Sequence, residues 1–117
     1  MTSIESNKLP LVSICIPTYN GEAYLQEALD SIQNQDYQNL EVVISDDNSS
    51  DNTVSIIQKF KNEVDFSVTI ISHTPKGIGA NWNNCIKHAA GTYIKFLFQD
   101  ENAMPDSIMD DFFDSLF

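Results

Sequence analysis

Three short polar stretches carry the residues best suited to chemistry in this chain, and each follows an apolar run. Pro17-Thr18-Tyr19-Asn20 follows residues 11–16 (LVSICI), Asp46-Asp47-Asn48 follows residues 40–45 (LEVVIS), and Gln99-Asp100-Glu101-Asn102 follows residues 92–98 (TYIKFLF). Two adjacent acids at Asp46 and Asp47 exceed what one helix cap needs. A carboxylate there can accept hydrogen bonds from a base N–H or a ribose hydroxyl. Asp100 and Glu101 offer hard oxygen ligands. Mg²⁺ or Mn²⁺ takes one or two such carboxylates and leaves its other positions to substrate phosphates. Tyr19 supplies a flat ring that can pack beside a base, with a hydroxyl at Thr18 and an amide at Asn20. Each stretch also has a purely structural explanation, as a turn whose acids and amides cap the helix that follows.

The strands and helices decide whether these groups meet. Residues 11–16 read as a buried strand ended by Pro17. Asn20 and Gly21 open a helix in which Leu25, Ala28, Leu29 and Ile32 recur at i, i+3, i+4 and i+7, giving one apolar face. Residues 40–45 are a second strand. In the turn SDDNSSDNT, Ser49, Ser50 or Asp51 can cap a helix with Val54, Ile57 and Phe60 facing inward. Residues 67–72 are a third strand. A polar loop through Pro75, Lys76 and Gly77 leads to a helix with Trp82, Cys85, Ile86 and Ala89 on one face, ended by Gly91 as a left-handed cap. Residues 92–98 are a fourth strand, and Pro105 suits the first turn of a last helix.

Strands alternating with amphipathic helices imply an α/β fold. The sheet is mostly parallel, has helices on both faces and is joined by right-handed crossovers. Ligands of such sheets sit beyond the carboxyl ends of the strands, where strand order reverses, and all three polar stretches fall on that edge. Lys76, in a turn that is neither G-x-G-x-x-G nor a Walker loop, is a candidate phosphate partner. His73 and His88 have no carboxylate or serine at a telling spacing and read as surface residues without a role.

Composition narrows the field. The 117 residues fit one domain, with a flexible tail over residues 1–9 and a folded unit over 10–117. Seventeen acids against six lysines, with no arginine, leave a net charge of −11. That excludes nucleic acid binding through a basic patch. A phosphorylated ligand would need a divalent metal to offset its charge, although a plain acidic, soluble surface explains the balance more simply. Cys15 and Cys85 read as core thiols, and no C-x-x-C spacing supports structural zinc. No apolar run nears the roughly 20 residues of a membrane helix, and MTSIESNKLP has no secretory apolar region. The expected location is the cytoplasm, with docking to the inner face of a membrane through further sequence left open. Met109, Phe112, Phe113 and Leu116 form an apolar stripe that needs cover. The cover is more of a larger domain, the sheet itself or a second copy in a homodimer. The reading taken is an incomplete domain.

The stretches VSICIPTYNGEAYLQEALDSIQNQDYQNLEVVISDDNSSDNT and GIGANWNNCIKHAAGTYIKFLFQDENAMPDSI resemble the opening of the family 2 inverting glycosyltransferases, which have the GT-A fold. The motifs are P-T-Y-N, D-D-x-S-x-D-x-T, G-x-x-x-x-x-N, G-x-Y-I and an acidic strand end followed by P-D. The resemblance covers roughly residues 10–110. It implies a nucleotide-sugar donor, usually a UDP-sugar, with Mg²⁺ or Mn²⁺ on the diphosphate and an acceptor that is a glycan, lipid or protein. Carried over by position, Pro17, Thr18, Tyr19 and Asn20 line the nucleobase pocket. Asp47 hydrogen-bonds the base, with Asp46 beside it, and Asn83 is retained near the donor. Asp100 holds the ribose or the metal, and Glu101 is the second metal ligand.

The chain departs from the pattern in three places. Phe98 replaces the first acid of D-x-D, Trp82 replaces an arginine, and the family's general base lies downstream of Phe117. No catalytic residue is therefore assigned here. The competing reading is a nucleotide-sugar-binding or assembly module without transfer chemistry. A phosphoacceptor receiver domain is disfavoured, because its acidic pair follows the first strand.

Overall fold

The structure, a computed structural model, describes residues 10–35, 37, 39–74 and 78–97. The expectations for the tail over 1–9, for Lys76, and for Phe98 onward lie outside the described residues. Asp100, Glu101 and the last helix are among them.

Four strands, β1 (Val12–Thr18), β2 (Leu40–Asp46), β3 (Ser67–Ser72) and β4 (Tyr93–Phe96), alternate with three helices, α1 (Glu22–Gln33), α2 (Thr53–Glu63) and α3 (Ile78–His88). All pairings are parallel and the order is β3-β2-β1-β4. The inner strands β1 and β2 are buried throughout, as their near-continuous apolar runs require. From β1 to β3 the chain steps one way across the sheet, and to reach β4 it steps back past β1. With one crossover hand, that reversal must put α3 on the opposite face from α1 and α2. The two cores agree. Val12, Ile14, Ile16, Val42 and Ile44 pack with Leu25, Ala28, Leu29, Ile32, Ile57 and Phe60, whereas Cys15 and Val43 pack with Cys85.

Three local expectations are corrected. β1 does not stop before Pro17 but runs through it to Thr18. Leu97 donates its N–H to the Cys15 carbonyl at 3.0 Å, so Cys15, and by alternation Pro17, turn their backbone groups toward β4. The β4 pairing ends at Phe96 opposite Cys15, so the N–H that proline lacks has no ladder bond to lose.

Gly91 is not a left-handed cap; α3 ends three residues earlier, and Gly91 does not have a left-handed φ. A Cβ there would lie 2.8 Å from Ser13 N and 2.9 Å from Leu11 O. Glycine is needed because backbone passes backbone. Here Gly91 donates its N–H to Ser13 Oγ at 2.8 Å, and the buried Glu41 carboxylate accepts from Ser13 Oγ and Ala90 N, both at 2.6 Å. The expected face of α3 is also only half right. Cys85 is buried, while Trp82 and Ile86 are exposed. Trp82 leans toward Phe96, with ring centroids 6.0 Å apart.

Candidate functional site

The carboxyl ends of β1 and β2 are joined by one acid. Thr18 pairs with Asp46 in register. The Asp46 side chain accepts hydrogen bonds from Thr18 Oγ1 at 2.7 Å, Ser49 Oγ at 2.6 Å and Ser49 N at 2.8 Å. Asp46 is 1% exposed, and a buried carboxylate persists only with such donors. Asp46 thus holds the rim together. The next residue is placed by backbone, with Asp47 N donating to Thr18 O at 2.9 Å.

The loops beyond these strands interlock. Asn20, expected to cap α1, instead takes a left-handed φ of 47°, accepts from Ser50 N at 2.8 Å and donates its N–H to Ser49 Oγ at 2.9 Å. Neither α1 nor α2 is capped by its own N-cap side chain. The acids work across the gap: Asp51 accepts from Glu22 N at 3.3 Å and Thr53 N at 2.9 Å, and Glu22 accepts from Asn52 N at 3.3 Å. Burial pushes the Asp51 carboxyl up, but hydrogen bonds from Thr53, Glu22 and its own backbone outweigh burial and hold it below the ordinary value.

The structure adds a residue that the sequence reading set aside. His73, one residue past β3, is no surface histidine. Its side chain is 13% exposed, and its Nδ1 lies 3.4 Å from Asp47 Oδ1. Nδ1 also faces Thr74 O at 2.8 Å, and Nε2 faces Asn81 Oδ1 at 2.9 Å. Asn81, buried on α3, donates its Nδ2 to Thr18 O at 3.1 Å. The ends of β1, β2 and β3 and the first turns of α3 are thereby connected through side chains. The signal was available, because 73 follows the third strand as 19 follows the first and 47 the second.

Of the other candidate residues, Tyr19 stands 53% exposed at the end of β1, next to Asp47 through the Thr18 carbonyl. Pro17 and Thr18 are buried within β1. Asn83 is exposed and sits about 200° around α3 from Asn81. The amide brought to the rim is therefore Asn81's, not that of Asn83. Among the described residues no group of three His, Cys, Asp or Glu could hold a metal ion. Asp46 is engaged by three hydrogen-bond donors and Asp47 faces an imidazole, so these two acids are not arranged as a cation site. The residues expected to bind one, Asp100 and Glu101, lie outside the described part. No described helix is long and apolar enough to cross a membrane.

Strand order reverses between β1 and β4, and the Tyr19–Asp47–His73 rim runs along the same carboxyl-terminal edge, over the ends of β1, β2 and β3. A doubly wound parallel sheet with polar loops gathered along its carboxyl-terminal edge is the architecture of an α/β ligand-binding domain. The pattern described as Glycosyl transferase family 2 matches residues 13–110, and the chain belongs to that family. It is 36% identical over 101 residues to GalNAc(5)-diNAcBac-PP-undecaprenol beta-1,3-glucosyltransferase of Campylobacter jejuni, covering 86% of this chain and 33% of that protein. It is 40% identical to Hyaluronan synthase of Pasteurella multocida over 102 residues, covering 87% of this chain and 10% of that protein. The fold superposes on S. aureus TarS 1–349 in complex with UDP-GlcNAc with a TM-score of 0.79 at 31% identity, covering 88% of this chain and 30% of that one. The mannosyltransferase PcManGT from Pyrobaculum calidifontis, solved with GDP-Man and Mn²⁺, gives a TM-score of 0.79 at 29% identity, covering 89% and 31%. The chain spans a third or less of the length of these relatives.

Proposed function

We propose that the chain forms the donor-binding part of an inverting glycosyltransferase, taking a nucleotide-diphospho-sugar, in particular a UDP-sugar, for transfer to an acceptor hydroxyl. The observation that carries this reading is Asp47, its backbone N–H bonded to the Thr18 carbonyl and its carboxylate beside His73, next to the exposed Tyr19 on the carboxyl-terminal edge of the sheet. A carboxylate accepts but does not donate, so it suits a base edge that presents an N–H. Tyr19 supplies the flat surface against which the base packs. The diphosphate adds negative charge to a rim already holding Asp46, Asp47 and Asp51, in a chain without arginine. The proposed counter-charge is Mg²⁺ or Mn²⁺ on Asp100 and Glu101, with Lys76 as a further phosphate partner. The general base that takes the acceptor's proton is not assigned to any residue here. The names of the relatives suggest cell-envelope polysaccharide as the setting, reached from the cytoplasmic side of a membrane.

Titration calorimetry on the folded protein tests the reading. UDP binds with Mn²⁺ present, EDTA weakens binding, and Asp100→Ala lowers affinity by about tenfold or more. No heat with either UDP or GDP in the presence of Mn²⁺ refutes the donor site. One observation favours a second reading: Trp82 stands where the family has an arginine and is engaged with Phe96. UDP binding that ignores both EDTA and Asp100→Ala would favour that reading, a nucleotide-binding module without transfer chemistry.

A further inference from the structure

We infer that His73 is a positioning residue for Asp47, acting as a doubly protonated imidazolium that locks the three strand ends of the rim. The inference rests on the donor-site reading for its functional consequence, but not for its chemistry.

The geometry allows one comfortable protonation state. Nε2 faces Asn81 Oδ1 at 2.9 Å, and Asn81 Nδ2 is already committed to Thr18 O at 3.1 Å. Nδ1 faces Thr74 O at 2.8 Å and Asp47 Oδ1 at 3.4 Å. Every one of these neighbours is an acceptor, so both ring nitrogens must donate. A neutral ring would set a lone pair against an oxygen on one side. Turning the Asn81 amide only moves the conflict to the Thr18 carbonyl.

Burial opposes the charge, since a desolvated histidine prefers to be neutral. The ring keeps some exposure, however, and its neighbours include a carboxylate. From β2 it meets Asp47, and its backbone N–H donates to Asp46 O at 3.2 Å. The Asp46 carboxylate itself turns to Thr18 and Ser49. From α3 it meets Asn81 and, farther along, the Cys85 thiol. β1 contributes the Thr18 carbonyl, through Asn81. Asp47 is the acid that pairs with the ring, so the balance favours the cation.

The consequence is directional. A histidine whose charged form is favoured by folding keeps its contribution fully at low pH and loses it as pH rises through the raised midpoint. Loss of the second proton leaves the ring one N–H, so it keeps either its Asp47 side or its Asn81 side but not both. The cationic charge opposite Asp47 goes with it, so the base-reading carboxylate is held less firmly.

The test has two arms on the full chain. In the first, ¹⁵N NMR follows the His73 ring across pH, with the signal assigned by its loss in His73→Gln. The ring should carry both protons at neutral pH and titrate above the ordinary value of about 6.5. Asp47→Asn should lower the midpoint by about one unit or more. A singly protonated ring at neutral pH, or a midpoint indifferent to Asp47→Asn, overturns the proposal. In the second arm, UDP affinity with Mn²⁺ is compared between wild type and His73→Gln at increasing pH. Wild type should weaken by about tenfold more than the variant across the ring's titration. Parallel profiles overturn the positioning role. If UDP binds neither protein at any pH, the donor-site reading fails, and the ring titration alone decides whether His73 locks the rim.

Discussion

Replacing Asp46 by alanine should destabilise the protein by about 3 kcal/mol. The side chain removed accepts three hydrogen bonds. A hydrogen bond to a charged group contributes about 1.5–3 kcal/mol. The Thr18 donor is fully buried and takes the larger part of the penalty, because no water reaches it once the carboxylate is gone. The Ser49 donors are only partly buried and recover part of their loss from solvent. Removing the carboxylate's own desolvation penalty offsets the total further, which leaves about 3 kcal/mol, a large share of the 5–15 kcal/mol of a typical domain. Urea denaturation followed by circular dichroism reads this directly. At a slope of about 2 kcal/mol/M the midpoint falls by about 1.5 M. Glu63→Ala is the matched control. It removes the same charge, but from a surface pair with Lys59 at 3.9 Å whose side chains are 51% and 73% exposed, where loss should stay within about 0.5 kcal/mol. The two variants share any relief of net charge, so their difference isolates the buried network. If Asp46→Ala unfolds at the same urea concentration as Glu63→Ala, Asp46 does not hold the rim.

Two other outcomes follow from the same structure. Gly91→Ala should lower stability by about 2–3 kcal/mol, because the new methyl meets backbone of Leu11 and Ser13, at the start of β1, that cannot step aside. Gly79→Ala, where a Cβ meets nothing within 4 Å, should instead raise it by up to about 1 kcal/mol as a helix substitution. Melting curves of the pair, moving in opposite directions, check the claim, and two changes of the same sign would refute it. Asp51 gives a pH signature: its carboxyl is held below the ordinary 3.8 in the folded protein. Its contribution is full above that value and is lost as pH falls through the folded value. Urea midpoints at pH 5 and pH 3 should therefore drop further in wild type than in Asp51→Asn, and equal drops would deny Asp51 its role in joining the two helix starts.

Periodicity placed most of the scaffold correctly. The α1 stripe of Leu25, Ala28, Leu29 and Ile32 is buried as read, and β3 spans the residues expected of it. The α3 stripe misled because apolar spacing shows which side of a helix is greasy, not how wide the sheet beneath it is. Cys85 lies over β1 and β2, while Trp82 reaches past them to Phe96. The division of labour between Asp46 and Asp47 was open to the same arithmetic. Strand side chains alternate, so Asp46 shares the face of Val42 and Ile44, under α1 and α2. Thr18 shares it with Ile14 and Ile16. An acid on the covered face is a holder, and in the proposed donor site the acid after it is the one offered to the ligand.

His73 was harder to see, for a physical reason. Its links to the other strand ends run to partners distant in the chain, to Asp47 on β2 and, through Asn81, to Thr18, which lies 63 residues before Asn81. A histidine without nearby acids in sequence looks idle. Parallel sheets invert that expectation, because every strand ends on the same edge and residues one strand apart in space are some twenty-five or more apart in the chain. The productive question for such a sequence is which polar residue follows each strand, including those whose loops carry no acid.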